Sequence, residues 1–80
     1  MKMKVTRIFN TKDFYLACFL KAKDIKLVRT EKTGNLAHFY FEGDGSLEDL
    51  ITSFYNDREE ISANRFVNAI RDLKALVHNI

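Results

Sequence analysis

Two runs rich in β-branched and aromatic residues, 25–32 and 35–42, meet at Thr33-Gly34-Asn35, and this junction constrains the chain more than any other feature. Glycine and asparagine tolerate the positive φ that tight hairpin turns demand, so the two runs are expected to pair as antiparallel strands. A two-residue loop at Thr33-Gly34 or at Gly34-Asn35 puts even positions of the first strand on one face with odd positions of the second. One face then collects Val28, Thr30, Ala37, Phe39 and Phe41, and the other Leu27, Arg29, Glu31, Leu36, His38 and Tyr40. The face that carries the phenylalanines is expected to meet helices. A three-residue loop would invert the assignment, because side chains alternate along a strand.

The remaining elements follow from periodicity and capping. Residues 4–9 alternate Val5, Arg7 and Phe9 against Thr6 and Ile8, which predicts a short first strand; it is free to pair with either strand of the hairpin. Asn10 or Thr11 offers a side-chain oxygen to cap a first helix that runs to about Lys23. Phe14 to Leu20 go all the way round that helix, which predicts a central position, the alternative being an exposed patch at Tyr15, Leu16 or Phe19. After Gly43-Asp44-Gly45, Ser46 and Asp49 have the form of a capping box, with Leu47, Leu50, Ile51 and Phe54 at helical spacing to about Asn56. A charged connection, 57–60, leads to Ser62, bracketed by Ile61 and Phe66 as a hydrophobic staple. The third helix then carries a stripe of Phe66, Ile70, Leu73, Val77 and Ile80, with Asn64, Asn68 and Arg71 pointing elsewhere. The expected fold is α+β, order β-α-β-β-α-α: a small three-stranded sheet with helices packed mainly on one face. With no proline, repeat or low-complexity stretch, residues 1–80 read as one domain.

Composition bounds what such a domain does. Its 80 residues include seven Phe and three Tyr, enough for a core, yet a chain this short keeps a net stability of only about 3 to 5 kcal/mol unless a partner or second copy adds to it. A single cysteine, Cys18, rules out an internal disulfide, and no Cys/His pairing at ligand spacing suggests zinc, so a reducing, cytoplasmic setting without metal or cofactor is expected. Met1-Lys2-Met3-Lys4 has the charge of an export signal, but Arg7 and Asn10 interrupt any apolar region after it, and the apolar run 14–20 is too short to span a bilayer. No membrane association is expected. Residues 1–32 hold nine Lys/Arg and three Asp/Glu, a balance of +6, whereas 33–80 hold four and eight, a balance of −4. That asymmetry makes either a basic patch for an acidic partner or two halves that attract each other within the fold.

No constellation reads as a catalytic centre. Cys18 and His38 are the one nucleophile-and-base combination, and Cys18 reads as a small buried hydrophobe rather than an accessible thiolate. Glu42, Asp44, Glu48 and Asp49 lack the spacing of a calcium loop and read as a solvated, helix-capping turn; the Gly43-Asp44-Gly45 turn lacks the third glycine or lysine of a phosphate loop. His78, in the last turn of the third helix, favours the negative end of its dipole. Asn64, Arg65, Asn68 and Arg71 match the residue types of a major-groove reader but lack a helix-turn-helix and read as a solvated face. The candidate binding face is Arg29, His38 and Tyr40 on the hairpin, flanked by Lys21, Lys23 and Lys26. Aromatics on a sheet stack bases and Lys/Arg take phosphates, Lys2, Lys4 and Arg7 among them; the plainer reading is a sheet face covered by the chain itself or by a second copy.

The stretches Thr11-Lys12-Asp13-Phe14-Tyr15-Leu16-Ala17-Cys18-Phe19-Leu20, Phe39-Tyr40-Phe41-Glu42 and Phe66-Val67-Asn68-Ala69-Ile70-Arg71-Asp72-Leu73-Lys74 together resemble an uncharacterised family of short bacterial and mobile-element proteins, a domain of unknown function. The resemblance covers nearly the whole chain and implies a prokaryotic or phage setting, with no functional residues to transfer. The expected function is a non-enzymatic protein-interaction module, through a protein partner or self-association. An accessory nucleic-acid binder using the basic N-terminal segment is the second reading, and an enzyme built on Cys18 or His38 the last.

Overall fold

A computed structural model describes residues 6–80. The elements are β1 (Arg7–Thr11), α1 (Phe14–Ala22), β2 (Lys26–Thr33), β3 (Leu36–Gly43), α2 (Ser46–Tyr55) and α3 (Ala63–His78). The three strands form one antiparallel sheet in the order β1-β3-β2, so the first strand pairs with the second arm of the hairpin and β3 is central. This is the expected α+β order.

The hairpin closes through Gly34 and Asn35, with Thr33 opposite Leu36 and Gly34 at φ +62, where a side chain would be strained. From Arg29 to Thr33 the faces fall as the two-residue loop dictates. Before Arg29 they do not, because a bulge inserts Val28: Leu27 lies opposite Phe41 and Arg29 opposite Tyr40, with Val28 unmatched between them. The extra residue exchanges the two neighbours, so Leu27 joins the core and Val28 is 41% exposed on the far side.

β1 begins at Arg7 and continues through Asn10 and Thr11, which pair with Tyr40 and Phe39 instead of capping α1. Lys4 and Val5, expected in this strand, lie outside the described residues, as does Lys2. The cap is Asp13, whose Oδ1 accepts the backbone N–H of Tyr15 and Leu16, both at 3.1 Å, while the Thr11 hydroxyl accepts the N–H of Asp13.

α1 is apolar around its circumference because it has neighbours all round. Leu16, Ala17, Cys18, Phe19 and Leu20 are each at most 2% exposed; Phe14 meets Phe39 of the sheet, Phe19 meets Phe54 of α2, and α3 packs alongside. Of the residues considered for a patch, Tyr15 alone is exposed. Phe39, Phe41, Leu47, Ala69 and Leu73 complete the buried core.

At the start of α2 Gly45 occupies the cap position without a side-chain bond, Asp44 before it accepts the backbone N–H and hydroxyl of Ser46 through Oδ1, and the Ser46–Asp49 box does not form. α1 and α2 each close with paired backbone bonds beyond the last turn: Ile25 N–H to Leu20 and Asp24 N–H to Lys21 for α1, Arg58 N–H to Ser53 and Asp57 N–H to Phe54 for α2. The residues that turn left-handed there, usually glycine, are Asp24 at φ 63 and Asp57 at φ 57. α3 starts at Ser62 as expected, its hydroxyl accepting Arg65 N–H, with Ile61 and Phe66 against the core. Ile80 lies beyond the helix and is exposed, so the buried stripe ends at Val77.

Candidate protein-interaction surface

All helical packing falls on the face of Phe9, Leu27, Phe39 and Phe41. Alternation sends Ile8 and Asn10 of β1, His38, Tyr40 and Glu42 of β3, and Arg29, Glu31 and Thr33 of β2 to the other face, where no helix lies among the described residues. Three aliphatic side chains stand exposed there: Ile8 at 54%, Val28 at 41% and Leu36 at 45%. Antiparallel sheets tolerate one solvated face, but that face is then ordinarily polar.

At its centre lies a compact polar group. The Arg29 guanidinium stacks over the Tyr40 ring at 4.1 Å from the centroid, Arg29 Nε donates to Glu31 at 3.2 Å, and the Tyr40 hydroxyl donates to the same carboxylate at 3.0 Å. His38 lies directly opposite Glu31. The sheet thus brings Arg29, His38 and Tyr40 together as expected and adds Glu31, a residue the alternation placed on this face but whose bridging role depends on side-chain reach. Lys26 sits farther along the same face, paired with Glu42 at 3.7 Å.

Lys21 and Lys23 are not part of this group. They sit at the C-terminal end of α1, Lys23 pairing with Glu59 at 3.4 Å and Lys21 lining a hollow with Asp24, Arg65 and Asn68. The charge asymmetry is taken up in part within the fold: Arg7, Lys23 and Lys26 from the basic segment reach Glu48, Glu59 and Glu42 from the acidic one.

Cys18 is wholly buried, and burial pushes its thiol up to about 11. His38 leaves the sheet on the side away from α1, so the two do not meet. Among the described residues no three His, Cys, Asp or Glu side chains gather as a metal site requires, and no helix is long and apolar enough to cross a membrane.

Fold and surface define a class: a small α+β domain with helices on one side of a three-stranded sheet and a mixed apolar and charged face on the other. Within that class the chain belongs to the family described as Domain of unknown function (DUF5659), whose model matches residues 6–79. Comparison with curated proteins and with solved structures gives no match.

Proposed function

We propose that this domain is a non-enzymatic protein-interaction module whose helix-free sheet face is the contact surface. The observation that carries this reading is the exposure of Ile8, Val28 and Leu36 on one face of the sheet around the Arg29–Tyr40–Glu31 group. Exposed aliphatic side chains around a polar centre, on a sheet face that no helix covers among the described residues, suit a contact surface, and burying them lowers the free energy of the complex by about 25 cal/mol per Å² of apolar area removed from water. A prokaryotic or mobile-element setting, drawn from the sequence resemblance, and a cytoplasmic one, drawn from the single free thiol, complete the proposal.

The second reading, an accessory nucleic-acid binder, draws on Arg29, His38 and Tyr40. The arrangement favours it less: a base stacking on the covered side of Tyr40 would displace Arg29, and Glu31 and Glu42 place carboxylates where phosphates would run. The test is light-scattering mass over a range of concentration, together with capture from a host lysate, for the natural chain and for the Val28→Lys/Leu36→Lys variant. Association or capture that the variant loses supports the module. A strict monomer that captures nothing, yet binds labelled single-stranded nucleic acid with an affinity that falls steeply between about 50 and 200 mM salt, transfers the function to the second reading.

A further inference from the structure

A groove of about 330 Å³ opens on the helical side of the molecule, lined by Phe14 of α1, Lys32 of β2, and Lys74, Val77 and His78 of α3. Its floor is apolar: Phe14 and Val77 are half-buried and packed on the core. Its rim is basic, no carboxylate lines it, and neither Lys32 nor Lys74 forms an ion pair among the described residues. The contrast is the hollow at Lys21, Asp24, Arg65, Asn68 and Asp72, which holds both signs of charge and closes them on each other through Arg65–Asp24 at 2.8 Å.

Two further features meet at the groove. Among the described residues β2 pairs with β3 alone, which makes it an edge strand whose other side presents backbone N–H and C=O groups without strand partners there. The bulge at Val28 disrupts the start of that edge, while the stretch from Arg29 to Thr33, which carries Lys32 into the groove, is regular. A regular strand edge beside an apolar hollow with uncompensated lysines suits an extended peptide that ends there: the backbone adds to the edge, the last side chain fills the hollow, and the terminal carboxylate meets the cations. The α3 C-terminus also points here, and its dipole disfavours an anion, so the lysine ammonium groups carry the attraction.

We infer that this groove binds the C-terminal residue of a partner peptide, with an apolar side chain against Phe14 and Val77 and the free carboxylate held by Lys32 and Lys74. The inference rests on the interaction-module reading but uses a surface on the opposite side of the sheet. It is tested by backbone amide NMR on the full chain, titrated to about 1 mM with short threonine- and valine-rich peptides ending in leucine, isoleucine or phenylalanine, each as free acid and as amide. Shifts are expected at Lys32, Lys74, Val77 and His78 and along Thr30 to Thr33, with affinity falling at least about tenfold on amidation and again in Lys32→Glu/Lys74→Glu. Both lysines are exposed, and the neutral Lys32→Gln/Lys74→Gln variant provides an independent reading of the charge. No shift with any peptide, or equal affinity for acid and amide, overturns the assignment; so does octanoate shifting the same residues as strongly as the peptides, which would make the groove a site for small amphiphilic acids. Val28→Lys/Leu36→Lys separates the two proposals. It leaves peptide binding intact if the groove assignment holds, and loss of peptide binding in this variant overturns that assignment; a natural chain that associates through the sheet face yet shifts with no peptide refutes the groove alone.

Discussion

Asp13 links two elements through one carboxylate. Oδ1 caps α1, and Oδ2 accepts the hydroxyl of Tyr55, the last residue of α2, at 2.6 Å. Asp13→Ala therefore removes a cap and an inter-helix bond together and is expected to lower stability by about 1 to 2 kcal/mol in chemical denaturation. The bond also marks Tyr55: donation to Asp13, then burial and the carboxylate's charge, hold its phenol up at about 12 against an ordinary 10.0. A group raised on folding contributes fully below its unfolded pKa and loses that contribution as pH rises through its folded one. The Tyr55–Asp13 contribution is thus complete below about pH 10 and lost by about pH 12. Absorbance titration of the phenols should show a late-titrating one that disappears in Tyr55→Phe and moves towards the ordinary value in Asp13→Ala. Thr30 shows the opposite balance: its buried hydroxyl has no partner among the described residues and costs stability.

The elements end where side-chain and backbone geometry agree, and the two left-handed aspartates are the exceptions. Asp57 takes a conformation that costs a residue with a Cβ and that glycine adopts freely. Asp57→Gly is expected to raise the denaturation midpoint, by about 1 kcal/mol of stability, and Asp24→Gly by less because Asp24 also pairs with Arg65 at 2.8 Å. The hairpin shows how far periodicity carries. Its turn was legible in Thr33-Gly34-Asn35, and its central face in the alternation once the loop is two residues long, a length that only the pairing of Thr33 with Leu36 decides; the bulge at Val28 was not legible, since Leu27 and Val28 are equally apolar and only pairing with β3 decides which lies opposite Phe41. β1 was displaced for the same reason, because Asn10 and Thr11 are good caps in isolation and become strand residues once β3 offers them partners.

At the scale of the molecule, the basic and acidic halves face each other across Arg7–Glu48, Lys23–Glu59 and Lys26–Glu42. All three involve exposed or half-exposed groups, so they orient more than they stabilise: unfolding free energy should change by less than about 1 kcal/mol between about 50 and 500 mM salt, and a larger fall would show that these pairs carry the fold. By itself the sequence determined the number, order and type of the elements, the hairpin, the start of α3 and most of the core residues, Leu16, Phe19, Phe39, Phe41 and Leu73 among them, because those follow from local periodicity, capping and turn chemistry. Tertiary structure alone decided the β1-β3-β2 order, the exchange of Leu27 and Val28, the separation of Lys21 and Lys23 from Arg29, His38 and Tyr40, and the meeting of Lys32 with Lys74 at the groove. Each depends on which distant segments pack together, and strand pairing and side-chain reach leave no periodic signal in a single chain.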